Sequence, residues 1–384
     1  MARRVGFNQR VFPMPVEPCQ AQSNLSNFWR WSRADGSWMA LFPSNRIQAI
    51  PTESDFFMKR ALITGITGQD GFYLAEYLLG LGYEVHGLAR QTGLEHIRGN
   101  LLQDVPPELY QRCRLHAVSL DNFPGLYRLI TKTSFDECYH LAASSFVGER
   151  LADGYQTIQN NIASTHYLLA ALHEFQPQCR FYFAGSSEMF GRPKEAPQTE
   201  QTPLNPRSAY GISKVAGYHL TRNYRESHGM FCGVGILYNH ESPRRRPEFV
   251  TRKITLAAAR IAMGSSEKLQ LGNVKARRDW GYAPDYVRAM HAILNHDQPE
   301  DFVVATGVLH SVADICAVAF SHLGLEWRAH VETSNTFYRD EEEVPLVGCA
   351  AKVKREVGWR PESTFEEMVR QMVDADVARL KPMI

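Results

Sequence analysis

Residues 58–80 read MKRALITGITGQDGFYLAEYLLG, and this stretch decides the fold. Lys59–Thr64 (KRALIT) predicts a short buried strand. After TGITGQDG, a helical pattern from Asp70 to Leu81 sets Leu74, Tyr77 and Leu78 on one face. Gly82 ends that helix, and Glu84–Ala89 predicts the next strand. A strand–helix–strand unit of this kind implies a parallel sheet. Gly65, Gly68 and Gly71 stand at G-x-x-G-x-x-G spacing between the first strand and the helix. The first glycine permits a tight turn, the second lets backbone approach a pyrophosphate, and the third lets helix and strand pack closely. The helix N-terminus then offers free N–H groups and a positive dipole end. A glycine-rich turn without a ligand is the bland alternative, and the complete frame favours the dinucleotide cradle.

Outward from this unit the alternation continues. Arg114–Val118 reads as a weak strand and Leu126–Thr131 as a short helix. Glu137–Leu141 is a strand running into AASS, Thr157–Glu174 a helix, and Arg180–Ala184 a strand. Ala209–His228 predicts a helix and Phe231–Leu237 a further strand. After Asn239 the elements shorten. The fold class is therefore α/β: a Rossmann-type doubly wound parallel sheet with a smaller, discontinuous C-terminal substrate domain. The expected division is 58–238 for the cofactor domain, with returning segments about 276–310, and 239–384 mainly for substrate.

The chain has 384 residues with 42 Lys+Arg and 41 Asp+Glu, a net charge of +1. A balance this close to zero gives no whole-chain reason to expect nucleic acid or a membrane surface as partner. No apolar run approaches the length of a membrane helix. Residues 1–57 differ from the rest: six Arg, no Lys, four acids and three of the six Trp. They carry no apolar signal-type stretch, and are expected to be a disordered or non-native extension, with Met58 a natural start. The seven cysteines are scattered with no C-x-x-C pair, which predicts free thiols in a reducing, cytoplasmic setting and no metal site.

About twenty residues after the glycines, at the end of the second strand, an acid would bind the ribose hydroxyls of NAD. Arg90 stands there instead and suits a 2′-phosphate, so NADP is the expected cofactor. Tyr210-Gly-Ile-Ser-Lys214 opens a helix, and its i, i+4 pair shares one face. A lysine ammonium beside a phenol is expected to pull the phenol's pKa down. Tyr210 thus becomes a usable base for a sugar hydroxyl, while Lys214 also reaches the nicotinamide ribose. Ser186 and Glu188 follow the strand Arg180–Ala184, at the carboxyl edge where open α/β sheets bind ligands. In an extended chain, residues two apart point the same way, which would aim a hydroxyl and a carboxyl at one substrate.

Together these residues resemble the extended short-chain dehydrogenase/reductase family, and within it the GDP-mannose 4,6-dehydratase branch. FAGSSEMFG, PRSAYGISK, ILYNHESPRR, FVTRKI and RDWGYAPDYVRAM look like that branch's segments in order, over about residues 58–380. The resemblance implies internal hydride transfer through NADP, with loss of water from GDP-mannose to give GDP-4-keto-6-deoxymannose. It implies Tyr210 as base at the C4 hydroxyl, Glu188 as acid/base in the elimination, and Ser186 at the C4 oxygen. It assigns the cofactor to Gly65, Ile66, Thr67, Gly68, Gln69, Asp70, Gly71, Arg90, Leu141, Ala142, Ala143, Ser144, Ser145, Lys214, His240 and Arg245. It assigns GDP-mannose to Asn239, Val250, Lys253, Arg278, Arg339 and Glu342, and implies a homo-oligomer, dimer or tetramer. The sequence departs from the pattern in QTGLEHIRG, read as a shortened loop after Arg90, and at Ser119, Ser144 and Cys349. These departures predict altered cofactor affinity or assembly. A related nucleotide-sugar reductase or epimerase, or a nucleotide-sensing protein without turnover, are the rival readings.

Overall fold

The computed structural model describes residues 31–34, 37–40, 58–98, 107–144, 151–334 and 343–381. Residues 1–57 cluster as a unit by themselves. Within them β1 (Trp31–Ala34) and β2 (Ser37–Ala40) pair antiparallel, two strands that the reading of that segment did not anticipate. The remaining expectations for residues 1–57 lie outside the described residues.

From Met58 the elements follow the alternation. They are β3 (Arg60–Thr64), α1 (Gln69–Gly80), β4 (Glu84–Ala89), α2 (Gln91–Arg98), α3 (Pro107–Arg112), β5 (Arg114–Ala117), α4 (Phe123–Lys132), β6 (Glu137–His140), α5 (Leu151–Phe175), β7 (Arg180–Ala184), α6 (Ala209–His228) and β8 (Cys232–Leu237). QTGLEHIR is the helix α2 and not a loop. Helix α5 begins six residues before the expected Thr157.

The main sheet runs β12-β8-β7-β6-β3-β4-β5, where β12 is Asp301–Val304. All its pairings are parallel. Strands this deep are covered on both faces, so they read as near-continuous apolar runs. Ala61, Leu62 and Ile63 are fully buried, and burial stabilises each Leu or Ile by about 1.5–3 kcal/mol. On one face Leu74, Leu78, Tyr139, Tyr286 and Met290 pack together. On the other, Leu126, Leu168, Leu172, Phe181 and Tyr218 do so. The chain steps from β3 outward to β5 and then returns to β6 on the other side of β3. The crevice beyond the carboxyl ends of β3 and β6 is therefore the topological switch point, where such sheets bind ligands.

After β8 come β9 (Asn239–Glu241), α7 (Val250–Ala262), β10 (Leu269–Leu271), β11 (Arg277–Tyr282) and α8 (Ala283–Leu294). Beyond β12 lie β13 (Leu309–Ser311), α9 (Val312–His322), β14 (Val331–Thr333), α10 (Ala351–Glu356) and α11 (Phe365–Leu380). Two small sheets, β13-β11-β9 and β10-β14, join α7, α9 and α11 around a third core that includes Ile254, Trp280, Phe320 and Met372. Within 276–310, α8 and β12 return to the main sheet, whereas β11 belongs to a small one.

Candidate active site

The cradle is built by exclusion. Gly65 has φ +74°, and a Cβ on it would come within 2.9 Å of the Ala142 backbone. A Cβ on Gly71 would lie 2.3 Å from the Gly65 carbonyl oxygen, so α1 starts in direct contact with the turn. A Cβ on Gly68 meets only that same oxygen, at 3.2 Å, which leaves its outer side open to an approaching phosphate. Ile66, Thr67 and Gln69 complete the turn into α1. These features fit a nicotinamide dinucleotide. Arg90 is exposed directly after β4. Leu141 to Ser144 follow β6 and face the glycine turn through Ala142; Ser145 lies outside the described residues.

A buried chain of hydrogen bonds holds the two loops of the switch point. The Ala142 N–H donates to Thr64 Oγ1 (3.1 Å), and Thr64 Oγ1 lies 2.9 Å from His140 Nδ1. His140 Nε2 lies 3.0 Å from Thr165 Oγ1, which donates to the Asn161 carbonyl at 2.8 Å. One tautomer serves the whole chain: Nδ1 accepts from Thr64 and Nε2–H donates to Thr165. Burial pushes the His140 imidazole down to about 3, with the Lys214 charge adding to the effect, so it stays neutral. Asn161 Oδ1 accepts from the Ser144 N–H (2.9 Å), and its Nδ2 donates to Ser213 Oγ (2.9 Å). Ser213 in turn donates to the Tyr210 carbonyl at 2.7 Å. Neither His140 nor Asn161 was expected at the site. An asparagine in the middle of a 25-residue helix, where it is a poor former, was the available signal for the second.

The catalytic candidates meet where β7 ends and α6 begins. Ser208 caps α6 by accepting from the Gly211 N–H at 3.0 Å, which puts Tyr210 in the first turn and Lys214 one turn on. A Cβ on Gly211 would stand 2.6 Å from the Glu188 carbonyl oxygen, so α6 packs directly on the turn that carries Glu188. That turn differs from expectation. Ser186 is extended, but Ser187–Met189 is a 3₁₀ turn with Ser186 Oγ accepting from the Glu188 N–H at 3.3 Å. The two residues converge through a capped turn and not through strand alternation.

The expected lowering of the Tyr210 pKa is also corrected. Burial pushes the phenol up to about 12; a hydrogen bond from Ser186 opposes this and the Glu188 charge adds to it. Lys214 Nζ donates to the Ala184 carbonyl (2.7 Å) and lies 5.7 Å from the Tyr210 ring centre. Burial pushes this ammonium down to about 8.

Asp70 Oδ2 lies 2.9 Å from His240 Nε2. Burial opposes both charges, yet the pair holds Asp70 below and His240 above their ordinary values. Arg245 pairs through Nε with Glu241 (3.0 Å) and covers the Phe249 ring at 3.6 Å. Of the expected substrate residues, Asn239 is half-buried, Val250 is exposed, and Lys253 Nζ donates to the Gln270 carbonyl at 2.7 Å. Arg278 donates to the Arg277 carbonyl at 2.7 Å. Arg339 and Glu342 lie outside the described residues. Among the described residues no cluster of His, Cys, Asp and Glu could hold a metal ion, and no helix is long and apolar enough to cross a membrane.

A sequence model described as GDP-mannose 4,6 dehydratase matches residues 62–372. The chain is 45% identical over 329 residues to GDP-mannose 4,6 dehydratase 2 of Arabidopsis thaliana, covering 84% of this chain and 88% of that protein. It is 40% identical over 346 residues to the Homo sapiens GDP-mannose 4,6 dehydratase, covering 84% and 92%. Among solved structures it is similar to a dTDP-glucose 4,6-dehydratase from Bacillus anthracis in complex with NAD (21% identity, TM-score 0.71, covering 85% of this chain and 100% of that one). It is likewise similar to RMD from Pseudomonas aeruginosa complexed with NADPH (22%, 0.70, 84% and 100%). At such identities the structural likeness concerns the fold.

Proposed function

The chain belongs to the GDP-mannose 4,6-dehydratase family, and we propose that it converts GDP-mannose to GDP-4-keto-6-deoxymannose and water, with NADP as its resident cofactor. The supporting observation is the convergence of Ser186, Glu188 and Tyr210 on one carboxyl edge beside the cradle. A reductase or epimerase on this fold needs the Tyr–Lys pair; elimination needs a second acid/base, and Glu188 is one.

A bound NADP, held by the glycine cradle and Lys214, would supply the acceptor for a hydride from C4 and the donor for its return to C6. Tyr210 removes the C4 hydroxyl proton, and Ser186 hydrogen-bonds the C4 oxygen. The resulting ketone acidifies the neighbouring C5–H. Glu188 takes that proton and supplies one to the departing C6 hydroxyl, which leaves as water. The proton removed at O4 is matched by the one C5 regains, and the hydride lost at C4 by the one gained at C6, so protons balance and the sum is redox-neutral. Lys214 spends one N–H on Ala184 and keeps two donors for the nicotinamide ribose. Lys253 and Arg278, joined by Arg339 from the sequence, are the cations for the diphosphate, and Glu342 accepts from a ribose. Asn239 and Val250 line the same substrate.

Arg90 supports NADP over NAD. The six described cysteines are unpaired, in keeping with a cytoplasmic setting. For a homo-oligomer, Tyr155 on α5 and Ile212 on α6 offer apolar surface, 69% and 45% exposed. The deciding experiment incubates the protein with GDP-mannose and trace NADP+ or NAD+ in parallel. We expect the 4-keto-6-deoxy sugar with no net cofactor turnover, faster with NADP+. Net consumption of NADPH on a ketosugar, without dehydration, would replace the reading with a reductase. In Glu188→Gln, C4 oxidation should persist while water loss stops; rapid dehydration there would move the base elsewhere.

A further inference from the structure

The loop from Ser242 to Phe249 enters α7 and carries Arg245. It is fastened to the cradle on one side. Ser242 Oγ donates to Gln69 Oε1 (2.7 Å), and Gln69 Nε2 donates to the His240 carbonyl (3.0 Å). Its other side is held from the last helix. Arg252, in the first turn of α7, donates from Nη1 to the carbonyls of Pro243 (2.6 Å) and Arg245 (2.9 Å). The same guanidinium grips Asp376 of α11 with its edge, Nε at 2.9 and 3.0 Å and Nη2 at 2.6 Å. Asp376 is 0% exposed and also accepts from Thr255 Oγ1 (2.7 Å) and Arg379 Nη1 (2.7 Å). Arg379 Nη2 adds a third donor to this backbone, on the Pro243 carbonyl at 2.7 Å.

A buried ion pair is a poor device for stability alone, since well-packed apolar residues do as well or better. What apolar residues could not supply is the set of donors on the Pro243 and Arg245 carbonyls. The planar fork of arginine can grip a carboxylate and two carbonyls at once, whereas a lysine cannot. The Arg245 guanidinium pairs with Glu241 (3.0 Å), the residue after His240, and His240 Nε2 lies 2.9 Å from Asp70 at the start of α1, so Arg245 stands beside the cradle.

We infer that Arg252 and Asp376 are positioning residues for the cofactor. Asp376 orients Arg252, Arg252 fixes the backbone on either side of Arg244, and this sets where the Arg245 side chain meets the dinucleotide. The inference rests on the reading of Arg245 as a cofactor residue.

NADPH fluorescence titrations of the full-length, cofactor-free protein test it, alongside kcat at saturating cofactor. Asp376→Asn and Arg252→Lys should each raise the NADPH Kd about tenfold, the loss of one or two good hydrogen bonds. Their kcat should stay within about threefold of wild type, because Tyr210 and Glu188 are untouched. A purely structural lesion would lower the titration amplitude with the unfolded fraction and leave the midpoint in place. If Asp376→Asn does not fold, Arg252→Lys, which keeps the charge opposite Asp376, decides alone. The double variant Arg245→Ala/Arg252→Lys should bind no more weakly than Arg245→Ala. Arg245→Ala with unchanged Kd refutes the cofactor reading of Arg245 and the inference with it. A shift in Arg245→Ala with none in Arg252→Lys, or fully additive effects in the double variant, refutes the inference and leaves that reading standing.

Discussion

Tyr210 begins as a phenol held up to about 12 by burial, with Ser186 already hydrogen-bonded to it. In the proposed reaction this phenol hydroxyl is the acid/base at O4, and phenylalanine keeps the ring while removing it. Tyr210→Phe should therefore cost at least ~100-fold in kcat with the NADPH Kd little changed; turnover near wild type would remove Tyr210 from the mechanism. Lys214 permits a pH test. Its folded value is pushed down to about 8 from 10.5. Between these values the unfolded chain binds more protons, so the penalty this residue places on the fold is full below about 8 and fades as pH rises. Lys214→Met should melt higher than wild type at pH 7, by on the order of 1–3 kcal/mol less the lost bond to Ala184. The gap should close towards pH 10, and turnover should be lost. Asp70 and His240 have opposite signs. The lowered carboxyl stabilises above its unfolded value near 3.8, and the raised imidazole stabilises below its unfolded value near 6.5. The pair is thus strongest in mildly acidic solution, and thermal melts of Asp70→Asn should show a larger deficit at pH 5.5 than at pH 9.

Among the elements, α1 and α6 depend most on missing side chains. Gly71→Ala would press a methyl to 2.3 Å of the Gly65 carbonyl oxygen, and backbone cannot yield there as a flexible side-chain tip can. We expect it to abolish detectable NADPH binding and to destabilise the fold by roughly 1–3 kcal/mol, the usual range for overpacking. Binding within threefold of wild type would show that the turn can relax. The glycine spacing that made α1 legible marks this same contact. Gly211 was not legible. It sits inside a Tyr-x-x-x-Lys pattern that explains itself without it, and its neighbour, the Glu188 carbonyl, is 23 positions earlier. The QTGLEHIR segment was misread for a related reason. Its glycine and threonine argue for a loop, while Leu94 at 4% exposure anchors one face of a helix to the main core, which Ala89 at the end of β4 also joins.

At the scale of the molecule, residues 58–384 form one unit with three cores of their own. The 36 basic and 37 acidic side chains in this unit give a net charge of −1, so an anionic substrate must be held by local placement of cations. Deleting residues 1–57 should leave the melting curve and turnover of the remainder unchanged. Loss of either would make the extension part of the enzyme.

The sequence by itself determined the alternation of strands and helices from β3 to β8, apart from α2 and α3, together with the glycine cradle and the Tyr210–Lys214 pair. Each is written in residues within a few positions of one another, where periodicity and backbone sterics act directly. The tertiary structure decided what distant segments do together. It turned Ser186 and Glu188 into a capped turn beneath Gly211, ran a hydrogen-bond chain through His140, and set Asp376 against Arg252 across 124 positions. It also set the acidity of Tyr210 against expectation, because burial is a property of the whole packed core and raises the phenol by more than Ser186 and Arg245 lower it.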